Sequence, residues 1–230
     1  MDHLSIYEAE KIKRTVYLTD RVKTDNTALY ENIHTIDRAM SLKVDGKTHV
    51  PEKIKFKYLK YSIQNVAKRV ERRRGEDYTV SPFCLMVNDG NYYLLSLDDK
   101  SGKMRTFRVD RMRNVRFTGV PRCGEEEFKK INLEDYVKEH FGMFPGEREH
   151  ITIRFIPPLL DTIVDRFGTR GVVYSKDEDG KHMRAVISVA VSEQFFGWLC
   201  GFGKRIKIIS PSPVVEKFKV HLDKMRSMYE

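Results

Sequence analysis

Through the centre of the chain, hydrophobic and polar residues alternate with a period of two. The stretch KIKFKYLKY begins this pattern, which predicts a strand with one buried and one solvated face. The two faces consist of Ile54, Phe56 and Tyr58, and of Lys53, Lys55 and Lys57. Further strand-like runs follow, and the NDGN stretch between two of them is typical of a tight hairpin. Residues 51–122 are therefore predicted to form a small antiparallel β-barrel.

Ahead of this barrel, the pattern predicts a helix in the second half of residues 1–50. The apolar residues that share one helical face are Leu29, Ile33, Ile36 and Met40. They follow the stretch KTDN, which can cap a helix. Such an apolar face must be buried, either on the following domain or on a second copy of the chain. We therefore assign residues 1–50 to a helical linker and dimerisation segment.

The chain after the barrel divides into a linker and a second domain. Residues 123–147 are acidic and interrupted by glycine and proline, which is typical of a linker. Residues 148–230 follow the order β-α-β-β-α-β and end in a further helix. This order is that of a split βαβ, or ferredoxin-like, domain. The whole chain is thus predicted to be an α+β protein.

The placement of charge indicates the kind of partner. The net charge of the chain is +9. Residues 51–122 contain 17 lysines and arginines against 8 acids, whereas both flanks are neutral. A basic block between neutral flanks favours a polyanionic or phosphate-bearing partner over a merely solvated lysine face.

The sequence offers little for a catalytic or metal site. Its histidines are scattered, and none pairs with cysteine or a carboxylate at the spacing of metal ligands. It contains no P-loop, no nucleophile elbow and no complete dinucleotide fingerprint. We therefore expect a binding protein rather than an enzyme, without a metal or another cofactor. Three unpaired cysteines, and no apolar run long enough for a membrane helix, indicate a cytoplasmic protein without disulfides.

An arginine-rich strand after the NDGN hairpin is the candidate binding site. In NYYLLSLDDKSGKMRTFRVDRM, an aromatic pair is followed by Arg105, Arg108 and Arg111, three residues apart. Arginine offers planar paired donors to phosphate, and tyrosine offers a ring face and a hydroxyl. Strand alternation puts Arg105 and Arg108 on opposite faces, so all three converge only if the strand bulges or ends near Asp110. We expect Arg105 and Arg111 to reach the ligand, and Arg108 to be structural, paired with Asp110 or another acid.

Further candidates come from the neighbouring strands. Tyr93 shares its face with Leu95 and is expected in the core, so Tyr92 is the better contact to a ligand. Ser81, beside a proline, is either a hydroxyl donor to the ligand or a plain turn residue. A secondary basic surface is either a solvated charge run or a surface that steers polyanions to the barrel. It comprises Lys53, Lys55, Lys57, Arg72, Arg73 and Arg74.

The same stretch resembles the signature of the WYL-domain proteins, a family of bacterial transcriptional regulators. Tyr92-Tyr93-Leu94 stands where the family usually carries Trp-Tyr-Leu, and RTFRVDRM is similar to its arginine-rich strand. SPFCLMV is similar to the proline-led strand before the signature, and KTDNTALYENIHTIDRAM to the helical segment that enters the domain. The region from ITIRFIPP to the last helix is similar to the C-terminal extension called WCX. The resemblance covers nearly the whole chain.

The resemblance implies an Sm-like, SH3-type barrel that binds a nucleotide or a short single-stranded nucleic acid. It also implies a homodimer that passes the binding event to a DNA-binding module. The family usually carries an N-terminal winged helix-turn-helix, for which the 50 residues ahead of the barrel are too few. Two interpretations stay open. The chain is either the ligand-sensing part of a regulator, or a stand-alone single-stranded RNA- or DNA-binding accessory protein that assists a nucleic-acid-targeting effector. A third is a protein-interaction module whose basic block keeps it soluble.

Overall fold

The computed structural model describes residues 28–44 and 46–230. Helix α1 (Leu29–Met40) is the helix that the sequence predicts, and its KTDN cap lies outside the described residues. The apolar stripe of α1 packs on the first sheet of the same chain, where Ile36 and Ala39 are fully buried. This burial satisfies the stripe without a second copy of the chain. A short hairpin follows, made of β1 (Lys43–Val44) and β2 (Lys47–Thr48).

The first sheet is antiparallel and curls into a half-barrel. Its strands run in the order β4-β3-β5-β6-β7, and β8 pairs with β3. They are β3 (Glu52–Tyr61), β4 (Arg69–Glu71), β5 (Tyr78–Asn88), β6 (Asn91–Asp98), β7 (Lys103–Arg108) and β8 (Met112–Pro121). In the described part of the chain β7 pairs with β6 alone, so one edge of β7 is open.

The alternation of β3 is confirmed, since Ile54, Phe56 and Tyr58 are buried inside the curl. Phe56 stacks on Tyr78 with ring centroids 5.7 Å apart, and Phe107 meets both rings edge-on. Burial of such aromatic rings contributes much of the stability of a small sheet. The inner face of the half-barrel is therefore a closed aromatic core.

The predicted linker packs on the outer face of the same sheet. Helices α2 (Glu125–Lys129) and α3 (Leu133–Glu139) are followed by a 3₁₀ turn at Phe141–Met143. The side chain of Asn132 caps α3 by accepting hydrogen bonds from its first backbone N–H groups. Met143 and the apolar side of α3 cover Tyr93 and Leu95 on β6. This region thus covers the sheet as well as connecting it to the next one.

The second sheet has four antiparallel strands in the order β10-β11-β9-β12. Its elements are β9 (Glu147–Phe155), α4 (Leu160–Phe167), β10 (Val173–Lys176), β11 (Met183–Val191), α5 (Glu193–Cys200), β12 (Ile206–Ser210) and α6 (Ser212–Arg226). A separate core lies between this sheet and its helices, and it includes Phe155, Ile163 and Phe195. The chain is thus a mixed protein with two antiparallel sheets. None of the helices that the structure describes is both long and apolar enough to cross a membrane.

Candidate anion-binding cleft

A cleft of about 610 Å³ runs along the open edge of β7. It lies between this strand, the Arg72 turn and the segment that follows α3. The lining residues are Tyr58, Arg72, Tyr78, Tyr93, Lys103, Met104, Arg105, Thr106, Phe107, Arg108, Arg111, Tyr136, Gly142, Met143, Phe144 and Pro145. All six residues of β7 take part, because side chains from both faces of a strand border a groove along its edge. Strand alternation therefore does not keep Arg105 and Arg108 apart here.

The cleft is lined by cations without acids. Its basic residues are Arg72, Lys103, Arg105, Arg108 and Arg111. None of the described residues that line it is an aspartate or glutamate. A concave surface with one sign of charge concentrates the field and attracts ligands of the opposite charge. The geometry thus favours an anion.

Arg108 is held by the protein itself. Its Nε donates to Asp110 Oδ1 at 3.0 Å and its Nη2 to Asp110 Oδ2 at 2.9 Å, a bidentate pair. The same Nη2 donates to Asn91 Oδ1 at 2.7 Å. Hydrogen bonding to Asp110 raises the pKa of Arg108 above its usual value. The pairing with Asp110 that the sequence indicated is therefore present. These bonds use three of the five N–H donors of the guanidinium and hold it against Asp110.

Arg111 reaches the cleft because β7 ends at Arg108. The chain then makes a 3₁₀ turn at Val109–Arg111, so that the side chain of Arg111 turns back toward the cleft. No carboxylate among the described residues pairs with Arg111. Burial raises the pKa of the Tyr58 phenol, and the nearby positive charge of Arg111 opposes this rise. Arg111 is thus the cleft arginine best placed to meet an incoming anion.

Arg105 is partly committed to a carboxylate. Its Nε lies 3.7 Å from Oδ2 of Asp98, a fully buried residue at the end of β6. The same oxygen accepts a hydrogen bond from Arg73 at 3.3 Å and one from the hydroxyl of Ser101 at 2.9 Å. The side chain of Arg105 keeps 45% of its surface exposed. It can therefore contact a ligand without leaving Asp98.

Of the two tyrosines, the buried Tyr93 borders the cleft and the exposed Tyr92 does not. Tyr93 is buried, as expected of a core residue, yet it borders the cleft, and burial raises the pKa of its phenol. Tyr92 is 37% exposed and points to the other face of β6, outside the cleft. The reason is that α3 and its following turn cover the Tyr93 face and form one wall of the cleft at its margin.

Ser81 also lies away from the cleft. It is fully buried in β5, and its hydroxyl accepts a hydrogen bond from the backbone N–H of Cys123 at 3.1 Å. This hydrogen bond connects β5 to the start of the predicted linker. The sequence left Ser81 with a ligand role or a turn role. The structure places it inside β5 rather than in a turn, and its hydroxyl contacts Cys123 outside the cleft.

The arginines of the secondary basic surface differ in whether their side chains contact other groups of the protein. Arg72 lines the cleft, and its guanidinium lies 5.5 Å from the centre of the Tyr58 ring. Arg73 stacks 3.7 Å over the Tyr78 ring and bonds to Asp98, so it belongs to the structure. Arg74 is exposed and takes a left-handed backbone conformation with φ of 53°.

The lysine face of β3 lies apart from the cleft and is largely neutralised. Lys53 pairs with Asp99 at 2.8 Å, and this hydrogen bond raises the pKa of the lysine. Lys57 pairs with Asp77 at 3.0 Å. Lys55 is the member of this face for which the described residues show no acidic partner. A polyanion would therefore have to displace internal ion pairs to use this face.

Part of the cleft wall comes from a segment that the sequence did not single out. Thr106 on β7 donates a hydrogen bond to the Met143 carbonyl at 2.9 Å. Next to it, burial raises the pKa of Tyr136 to about 12, although a hydrogen bond with Thr106 opposes the rise. Phe144 follows Met143 and is 48% exposed. The apolar spacing of Leu133, Tyr136 and Val137 is the signal that could have indicated packing against the sheet.

One group of metal-type ligands occurs in the described residues, in the second sheet. Asp177, Asp179 and His182 lie close together. Arg154 forms ion pairs with both carboxylates, and Arg184 pairs with Asp177. Because arginines already neutralise these acids, the cluster is an ion-pair network of the hairpin.

Two family models match the chain. The WYL domain model matches residues 52–117, which hold most of the first sheet, and the WCX domain model matches residues 147–226. A search of the curated proteins gives no match.

Solved structures give weaker likenesses. One is the proteasome accessory factor B/C (PafBC) of Arthrobacter aurescens, with 14% identity and a TM-score of 0.36. A second is described as a CRISPR Cas-related protein, with 15% identity and a TM-score of 0.47. The matches cover 96% and 87% of this chain but only 30% and 52% of those chains. The two family models together match more than half of this chain, and on that ground the chain belongs to the WYL-domain proteins, with a WYL and a WCX domain.

Proposed function

We propose that this chain is the ligand-sensing part of a WYL-family transcriptional regulator and binds a phosphate-bearing ligand in the cleft along β7. The ligand is a nucleotide or a short single-stranded nucleic acid. We take the chain to bind this ligand without transforming it, since the lining residues that the structure describes are mainly cations and rings and include no nucleophile paired with a neighbouring base.

The observation that supports the proposal is the absence of acids from the described lining of a cleft that holds five basic residues. Arginine and lysine placed in this way satisfy phosphate oxygens by charge-assisted hydrogen bonds. Arg108 stays with Asp110, so the contacts to phosphate fall to Arg111, Arg105, Arg72 and Lys103. A cleft of about 610 Å³ also lies in the range that small ligands occupy.

The finer fold assignments belong to the same proposal. We take the curled first sheet to be an Sm-like, SH3-type barrel. The second unit has the element order β-α-β-β-α-β and the sheet order β10-β11-β9-β12, which supports a ferredoxin-like domain. A homodimer, and a DNA-binding module in the same chain or in a partner, follow from the family resemblance alone. Since the stripe of α1 is buried within the chain, it gives no support to the dimer.

A second candidate is a stand-alone single-stranded RNA- or DNA-binding accessory protein. Exposed Arg74, next to Arg72 at the cleft, favours it, because the two could extend a track for a longer strand. The internal pairs of Lys53 and Lys57 count against a long track across β3. The number of phosphates that the protein contacts separates the two candidates.

The test is a titration of a labelled single-stranded oligonucleotide and of cyclic dinucleotides at two ionic strengths. A compact site predicts a shallow dependence of affinity on salt, and a strand-binding track predicts a steep one. Replacing Arg105 and Arg111 together by alanine is expected to abolish binding while the melting temperature stays nearly unchanged. Its matched control is the Arg113→Ala and Arg116→Ala pair. Those side chains are 53% and 42% exposed on β8, and they lie outside the cleft.

The control pair also removes two positive charges from the first sheet, but at positions outside the cleft. If both double variants lose affinity equally, the attraction is a general effect of net charge and the cleft is not the site. If the protein binds none of these anions at low salt, the proposal fails and the interaction-module interpretation gains.

A further inference from the structure

The rings that line the cleft differ in whether their faces are free. The Tyr78 ring is stacked with the Phe56 ring, with centroids 5.7 Å apart, and the guanidinium of Arg73 lies over it at 3.7 Å from its centroid. Tyr136 is stacked on His140 at 3.9 Å. These rings are therefore used by the protein, and they offer a ligand their edges or hydroxyl groups.

The remaining sheet rings that line the cleft are also closed to stacking. Tyr58 and Tyr93 are each 8% exposed, and Phe107 is 5% exposed. Arg72 lies over the Tyr58 ring. A nucleobase needs an accessible ring face to stack on, and none of these rings provides one.

Phe144 is the exception. It lines the cleft with 48% of its surface exposed, and no ring or guanidinium of the described residues stacks on it. Single exposed apolar side chains are common, so what distinguishes Phe144 is an open ring face beside the cations of the cleft. It also borders a groove beneath α6. The described residues do not show what would cover that groove.

The position of Phe144 is defined by the segment that carries it. Thr106 hydrogen-bonds to the carbonyl of the preceding Met143 at 2.9 Å, which fixes the segment to β7. Gly142 has φ of 57°, and a Cβ atom at this glycine would lie 3.3 Å from Cδ2 of Phe144. The glycine therefore allows both the turn and the close approach of the ring. Such a ring loses little freedom when a ligand binds.

We propose that Phe144 is the ring on which the base of a bound nucleotide stacks, while the cations of β7 and Arg111 hold its phosphates. The cleft then selects phosphate ligands that carry a base over those that do not. Phe144 is a specificity-determining residue of the site, and this inference rests on the proposed function. The base of the ligand then lies on the wall that carries Phe144, and the phosphates lie on the opposite wall formed by β7 and Arg111.

The test compares two probes with the same phosphates. One is 5′-phosphorylated diadenylate, and the other is its abasic counterpart. Isothermal titration with the full chain is expected to show tighter binding of the diadenylate. Phe144→Ala should weaken diadenylate binding roughly ten- to hundredfold and leave abasic binding unchanged, because stacking is lost and the phosphate contacts remain. Phe144→Leu keeps apolar bulk without a ring face and should lose most of the preference.

Phe117→Ala is the matched control. Phe117 is 40% exposed on β8, outside the cleft, and its replacement should change neither affinity. The inference is overturned if Phe144→Ala binds diadenylate as the parent protein does, or if the parent shows no preference for the base. Failure of the proposed function looks different: the parent binds neither probe, or the Arg105 and Arg111 variants bind both as before. Melting temperatures of all variants separate lost contacts from lost folding.

Discussion

Asp98→Asn tests whether one buried carboxylate organises the rim of the cleft. Asp98 is fully buried at the end of β6 and accepts hydrogen bonds from Arg73 at 3.3 Å and from Ser101 at 2.9 Å. The Nε atom of Arg105 lies 3.7 Å from the same carboxylate, and the guanidinium of Arg73 also lies over the Tyr78 ring. The carboxylate therefore connects three parts of the sheet: the turn at Arg73, the β6–β7 turn at Ser101, and Arg105 in the cleft.

The magnitude follows from what asparagine retains. Its side chain has nearly the same shape and can still accept from Ser101, so no cavity forms. The loss is the charge in the bond to Arg73, since a charge-assisted bond contributes ~1.5–3 kcal/mol and a neutral one ~0.5–1.5 kcal/mol. The side chains of Arg73 and Arg105 are 19% and 45% exposed, so both regain some hydration. We expect the free energy of unfolding to fall by about 1–2 kcal/mol, less than for a fully buried pair.

Urea unfolding followed by circular dichroism measures this loss, and the neighbouring carboxylate provides the control. Asp99 pairs with Lys53 at 2.8 Å, but its side chain is 31% exposed. Asp99→Asn should therefore cost under about 1 kcal/mol, as exposed pairs usually do. Equal midpoints for the two variants, with unchanged m-values, would refute the idea that Asp98 anchors the rim.

Two further predictions concern single side chains. Arg108→Ala should lower the free energy of unfolding by about 2–4 kcal/mol, because Asp110 is buried and loses a bidentate partner. Arg111→Ala should change this free energy by under about 0.5 kcal/mol. Thermal melts that reverse the order of the two variants would contradict the assigned roles. Burial lowers the pKa of His140 below its usual value, so the unfolded chain takes up this proton more readily than the folded one. The contribution of His140 is therefore present above about pH 6.5 and is lost as the pH falls below it, so the parent should lose stability on acidification more steeply than His140→Gln. Urea midpoints measured from pH 7 to pH 5 check this, and parallel slopes would contradict it.

The sequence predicted local patterns better than the arrangement of strands. Alternation in β3, the NDGN hairpin and the helix at Leu29–Met40 depend on neighbouring residues, and the structure contains all three. The open edge of β7 depends on which strands pair, which no local pattern reveals. That edge brings Arg105 and Arg108 to one cleft from opposite faces of the strand.

The prediction for the two tyrosines depended on what covers the sheet. Alternation correctly places Tyr92 and Tyr93 on opposite faces, but it cannot say that α3 covers the Tyr93 side and leaves a cleft at its margin. The lysine face of β3 shows the same limit, since the partners of Lys53 and Lys57 are distant along the chain. Charge counted along the sequence therefore overstates the charge that is free to attract a polyanion.

The cleft joins the first sheet to the segment that leads into the second. One wall is β7 with Arg111, the other includes Met143 and Phe144, and β9 begins shortly afterwards at Glu147. A ligand that contacts both walls binds only the arrangement in which they lie together, so it stabilises that arrangement. At a hundredfold excess over its dissociation constant, this stabilisation is about 2.7 kcal/mol. The bond from Thr106 to Met143 contributes about 1 kcal/mol in addition to the packing of Met143 on Tyr93 and Leu95, and a bound ligand would add its own contribution to both. Occupancy of the cleft can thereby change how firmly the second sheet is held against the first, whereas a ligand that contacts β7 alone has no such effect.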